Sequence, residues 1–187
     1  MNAIVRGNSP ASNNRQVVAA TAAESAQYLT FVLGGEMFAV GILHVKEIIE
    51  FGNLTEIPMV PPFIRGVINL RGAVVPVIDL SARFDGRKSE AGKRTCIVIV
   101  EVQDDDLSHD IGIMVDAVSE VLEIPGREIE PPPAFGARIR ADFIQGMGKV
   151  AGKFVILLDI DRILSIEEIA TLASVAGSGE DTHRQGN

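Results

Sequence analysis

The chain has 187 residues, 47% of them hydrophobic and 22% charged, enough for one large domain or two small ones with a real core. A formal net charge of -8 disfavours nucleic acid and anionic membrane surfaces as partners. One cysteine, Cys96, excludes an internal disulfide framework, and three histidines leave little material for a zinc site.

Residues 1–24 read as a disordered leader. The run Asn8-Ser-Pro-Ala-Ser-Asn-Asn14 offers too little apolar surface to offset ordering entropy, and Val17–Ala23 is too short and too Ala/Thr-rich for a signal peptide. Gln27–Leu33 is a predicted strand, the Gly34-Gly35-Glu36 segment a turn, and Met37–Gly41 a second strand. Glu47–Phe51 and Gly66–Leu70 follow. Ala73–Leu80 is apolar but carries Pro76, which predicts an edge or a bulge. The polar segment Lys88–Lys93 reads as a hinge. Further strands are expected at Thr95–Val102, Asp110–Val115, Ser119–Ile124, Phe143–Val150 and Phe154–Ile160, with a turn at Asp104–Asp106. Strands this short and close favour small barrels or sandwiches over alternating β/α units. Ser165 and Glu168 form a capping-box pattern. Ile166, Ile169, Leu172 and Ala173 share one helical face, so a short helix is expected over 166–174, before a disordered tail at 175–187.

The most informative feature is an internal repeat. At a shift of 80 residues, Gly66, Gly72, Val75 and Asp79 lie over Gly146, Gly152, Val155 and Asp159, and Phe63-Ile-Arg-Gly66 over Phe143-Ile-Gln-Gly146. At a shift of 73, Val45-Lys-Glu47 lies over Val118-Ser-Glu120. The difference is a seven-residue insertion, naturally placed around Pro131–Arg140. Each copy holds about five short strands, and such a unit best removes its strand edges by curling into a barrel. The expected fold is therefore mainly β: two small five-stranded barrel subdomains, at about 25–87 and 94–165, with a groove between them.

Few residues suggest chemistry. Asp79 and Asp159 are paired carboxylates, but each ends an apolar run before an amphipathic turn, which is an N-cap position. His44 has no second nitrogen ligand or serine partner beside it and reads as solvated or partner-facing. Cys96 reads as a small hydrophobe. Gly34-Gly35 lacks the lysine and hydroxyl of a phosphate loop, and Asp104–Asp106 lacks the glycine and distal glutamate of a calcium loop. No nucleophile, base and orienter come together, so the expectation is a protein without catalytic activity, cofactor or metal. Arg71 stands out in Asn69-Leu-Arg71-Gly72, a charged turn whose second-copy counterpart is Ala151. Glu47, shared by both copies, is its expected partner.

Taken together, Gln27-Tyr-Leu-Thr-Phe-Val-Leu-Gly, Leu43-His-Val-Lys-Glu-Ile, Pro62-Phe-Ile-Arg-Gly-Val-Ile-Asn-Leu-Arg-Gly and Val75-Pro-Val-Ile-Asp-Leu resemble the CheW family of chemotaxis adaptors, from about Gln27 to Leu172. The resemblance implies two SH3-like barrels and a cytoplasmic, non-enzymatic scaffold recruited to membrane receptor arrays. One barrel would dock the regulatory domain of the histidine kinase CheA. The groove would take the cytoplasmic tip of a methyl-accepting receptor, with no nucleic acid and no direct membrane insertion. Carried over by position, Val45, Glu47, Gly66, Asn69, Arg71 and Gly72 fall in the partner-binding region of the first copy, and Gly112 and Val118 in the second. The resemblance also admits an adaptor of a non-flagellar chemosensory pathway, such as surface motility or second-messenger control.

Overall fold

The computed structural model describes residues 24–132 and 139–170. Eleven strands run in chain order: β1 (Ser25–Leu33), β2 (Glu36–Gly41), β3 (Val45–Glu50), β4 (Ile64–Leu70), β5 (Ala73–Asp79), β6 (Cys96–Asp104), β7 (Leu107–Val115), β8 (Ala117–Pro125), β9 (Ile129–Glu130), β10 (Ile144–Val150) and β11 (Lys153–Leu158). Two short helices, α1 (Leu80–Asp85) and α2 (Ile160–Ile163), follow β5 and β11. A third, α3, covers 166–170 among the described residues. The leader before Glu24, the tail, the rest of the expected helix and most of the expected insertion lie outside the described residues.

The strands form two sheets, ordered β8-β1-β2-β11-β10-β9 and β3-β6-β7-β5-β4. The repeat is visible in every pairing. The β4–β5 ladder shifts register between Ile64 and Gly66, and the β10–β11 ladder does so between Ile144 and Gly146. Phe63 and Phe143 carbonyls accept from the amides of Asp79 and Asp159 at 2.7 and 2.8 Å. Strand β5 runs parallel to β7, as β11 does to β2.

One expectation about the halves changes. The subdomain limits 25–87 and 94–165 separate the sequence copies but not the sheets. Hairpin β1–β2 joins β8, β10 and β11 of the second half, while hairpin β6–β7 joins β3, β4 and β5 of the first. Relative to the repeat the two halves have exchanged their leading hairpins: one sheet is the contiguous stretch Val45–Val115, and the other joins β1 and β2 to β8–β11.

The ladders do not run continuously round a barrel. In the five-stranded sheet the chain leaves edge strand β3 and reaches the opposite edge at one point, where Thr55 and Val67 exchange two backbone bonds of 2.9 Å. In the six-stranded sheet β9 crosses in the same way from β8 to pair with β10. This closure also explains Pro76. Strand β5 is interior rather than an edge, but Pro76 faces Val67, whose own N–H and C=O are committed to Thr55. Pairing with β7 begins only at Val77. The missing proline N–H therefore removes no bond to β4.

Three apolar clusters result. Val75, Val77, Ile97, Ile99 and Met114 fill one barrel; Tyr28, Ala39, Ile124, Val155 and Leu157 fill the other. The largest lies between the sheets and includes Leu29, Phe31, Val40, Val98, Val100, Ile113, Phe63 and Phe143. Since most of the buried apolar surface is shared, the two barrels are held as one unit.

The segment expected as a hinge is pinned. The buried Asp79 carboxylate accepts from Ala82 N (3.2 Å), capping α1, and from Ser89 N (2.7 Å) and Ser89 Oγ (2.8 Å). Arg65 Nη1 donates to the Ser89 carbonyl at 3.0 Å. Asp159 caps α2 through Arg162 N. The capping box at α3 is half formed: Ser165 Oγ accepts from Glu168 N at 3.4 Å, while the Glu168 carboxylate turns away to two arginines.

Candidate functional site

The β4–β5 turn is a two-residue hairpin loop, Arg71-Gly72, with φ of 53° and 89°. Asn69 Oδ1 accepts from Gly72 N at 2.8 Å and closes it. Positive φ at both central residues matches the twist of the strands and favours glycine at the second. The turn aims Arg71 back across the sheet opening at Glu47 on β3. Nη1 donates to Oε1 and Nη2 to Oε2, both at 2.7 Å, a two-pronged fork of the expected partners. Strands β3 and β4 are the two edges of this sheet, so the fork ties edge to edge above the Thr55–Val67 crossing. The fork holds the Glu47 carboxyl below the usual glutamate value and raises Arg71 above its own. Arg71 remains 74% exposed and Glu47 26%. The result is a preorganised, solvent-facing charge pair on the rim of an aliphatic barrel.

Of the residues placed in the partner-binding region, Glu47, Asn69, Arg71 and Gly72 meet here, and Val45 begins the same strand as Glu47, half-buried against the central cluster. The others lie apart. A Cβ on Gly66 would sit 2.4 Å from the Thr55 carbonyl oxygen, so Gly66 permits the crossing. A Cβ on Gly112 would sit 2.7 Å from Ile97 Cγ2, inside the first barrel. Val118, on β8 opposite Phe31, is half-buried against the central cluster. These three shape the scaffold under the surface rather than extend the Arg71 patch. In the second half Ala151 keeps the turn, with φ of 49°, but supplies no fork to Glu120.

Sequence reasoning missed the exposed apolar positions beside these turns. Ile48 and Val74 on the first barrel, and their repeat counterparts Val121 and Phe154 on the second, are all exposed. Their signal was the repeat itself: apolar residues at both shifts in places where strand alternation calls for polar ones. The seam between the halves also carries an unforeseen clamp. Arg83, 6% exposed, lies between the rings of Phe63 and Phe143 at 5.1 and 4.8 Å. It donates to the Ile163 carbonyl (3.1 Å) and to Glu168 (2.9 Å), and Glu168 also accepts from Arg140 at 2.6 Å. This fastens α3 to both halves.

A groove of about 780 Å³ opens where β1, β2 and the turn at Ile42–His44 meet β11 and α2. His44 lines it, half-buried, with Nδ1 3.5 Å from the Glu101 carbonyl. Among the described residues no group of three or more His, Cys, Asp or Glu could hold a metal ion, and no helix is long and apolar enough to cross a membrane.

The family profile of the CheW-like domain matches residues 27–168, the whole two-sheet unit with its clamp. The chain belongs to the CheW family. It is 36% identical over 152 residues to chemotaxis protein CheW of Klebsiella aerogenes, covering 81% of this chain and 89% of that one. Against chemotaxis protein CheW of Treponema pallidum it is 32% identical over 170 residues, 89% of this chain and 98% of the relative. The crystal structure of scaffolding protein TtCheW from Thermoanaerobacter tengcongensis superposes with a TM-score of 0.67 at 36% identity, covering 75% of this chain and 88% of that one. The two-unit β fold expected from the repeat, and the CheW-like fold implied by the resemblance, are thus the fold of a solved relative, with the two curled sheets described above.

Proposed function

We propose that this chain is a non-catalytic scaffold that couples methyl-accepting chemotaxis receptors to the histidine kinase CheA. The observation that carries this reading is the family match over the entire folded unit, with relatives named chemotaxis protein CheW that align over 89–98% of their own length. The protein works on the cytoplasmic side, recruited to receptor arrays through its partners.

The geometry supports docking rather than chemistry. A rigid guanidinium fork beside exposed aliphatic side chains is the composition of a protein interface rim. In this reading Val45, Glu47, Asn69, Arg71 and Gly72 form the contact surface for kinase or receptor. Gly66, Gly112 and Val118 keep the barrels in the shape that surface needs. Signal passes because receptor states differ in their contact energy with the scaffold, and only such a difference shifts the kinase equilibrium.

Co-sedimentation tests this directly. The purified chain should pellet with receptor-bearing membranes, should carry CheA with it, and should raise kinase activity above that of receptor and CheA alone. Failure to pellet with receptors and to bind CheA in solution would overturn the proposal.

A further inference from the structure

We propose that residues 1–23 of this same chain dock in the groove at the start of β1, making the leader an intramolecular occupant that any partner using this groove must displace. Three observations point there. First, the chain emerges at the groove itself: Ser25, Ala26, Gln27 and Tyr28 line it, so the leader is tethered at the rim. Second, the charges are complementary. Glu123, Asp159 and Asp161 line the groove. The leader carries Arg6 and Arg15, and no acidic residue precedes Glu24. Third, Leu43 on the rim is 97% exposed beside Ile42 and Ile160, an apolar spot matched by Ile4, Val5, Val17 and Val18 of the leader.

Tethering makes weak contacts sufficient. A segment joined at the rim is present at an effective concentration of about 1 mM, so an intrinsic dissociation constant near that value fills the groove about half the time. The acidic lining would repel an acidic segment at the same distance, and the electrostatic share weakens as salt shortens the screening length from about 14 Å at 50 mM to about 3 Å at 1 M.

The test uses the full chain. Cys96→Ser removes the native thiol, Asn13→Cys carries a nitroxide spin label, and broadening of backbone amide signals is read by NMR. In 50 mM NaCl the amides of Gly41, Leu43, Gln145 and Asp161 should broaden selectively, with Val98 and Ile113 unaffected. In 1 M NaCl, and in the Arg6→Glu/Arg15→Glu variant, this broadening should fall several-fold while the strand signals stay in place. Absent or uniform broadening, or broadening unchanged by the charge reversal, would overturn the proposal. So would two other occupants. Broadening that appears only in a mixture of labelled and isotope-enriched chains means a second copy. Broadening of the same amides from a label at Ser178→Cys, and not from Asn13→Cys, means the C-terminal segment.

Discussion

Replacing Gly66 by alanine is expected to lower folding stability by about 3–5 kcal/mol. Two effects combine. The backbone at Gly66 has φ of 149°, a region that L side chains rarely adopt, and forcing it costs about 1–3 kcal/mol. The new Cβ would also lie 2.4 Å from the Thr55 carbonyl oxygen. That atom is main chain and cannot swing aside, so the exchange of two backbone bonds between Thr55 and Val67 must open, at about 1 kcal/mol each. Gly152 is the control. It too has positive φ, 77°, but nothing lies within 4 Å of its would-be Cβ, so Gly152→Ala should cost about 1–2 kcal/mol. The assay is urea unfolding. With a slope of about 2 kcal/mol/M, Gly66→Ala should move the midpoint by about 1.5–2.5 M and Gly152→Ala by under about 1 M. Equal shifts for the two variants would refute the argument that Gly66 is required by the strand crossing.

Three other outcomes are expected. Arg71→Glu sets two carboxylates facing across the barrel rim and should abolish receptor-coupled kinase activation while leaving the urea midpoint near that of the parent. Normal activation in this variant would remove the Arg71–Glu47 pair from the interface. Asp79→Ala should destabilise by about 3 kcal/mol, since it removes a helix cap together with both Ser89 bonds, whereas Asp159→Ala removes a cap alone and should cost about 1 kcal/mol. Matched losses from unfolding curves of the two variants would contradict this asymmetry. Glu168 is held below the ordinary glutamate value by Arg83 and then Arg140. A lowered folded-state value contributes stability above the ordinary range, and that contribution is lost as pH falls through the folded value. Glu168→Gln should therefore be less stable than the parent near pH 7, with the gap narrowing as pH falls below the ordinary glutamate value; a constant gap between their midpoints would show that the pair is not the source.

Much of the fold was legible because the repeat supplied two readings of each element. Predicted strand positions agree with the structure to within a few residues, and Asp79 and Asp159 cap helices as their positions predicted. The Arg71–Glu47 pair was legible because only one turn carries an arginine at that place while both copies carry the glutamate. What local pattern could not show was contact across the chain. Lys88–Lys93 is polar and glycine-containing and so reads as free, but Asp79 and Arg65 hold Ser89 from elsewhere. Strand β9 is two residues long and has no periodicity to detect. Gly66 and Gly112 look like motif residues in sequence; only the positions of Thr55 and Ile97 reveal that they make room.

The sequence by itself determined the inventory: an aliphatic chain with scarce aromatics, two copies of a five-strand unit, and one copy marked by Arg71. The tertiary structure alone decided which copy each hairpin serves. Strands β1 and β6 occupy matching places in the repeat, and each presents buried aliphatic side chains that suit either β3 or β8. The alternation of the strands alone does not separate the two arrangements, although Thr30 Oγ donates to Glu120 O at 2.7 Å and accepts from Glu120 N at 3.1 Å, two bonds that Ile99 at the matching place in β6 could not make. The choice falls to what is not local: the central cluster that Phe31, Val40, Val100 and Ile113 build together, and the Arg83 clamp that joins the two halves across it.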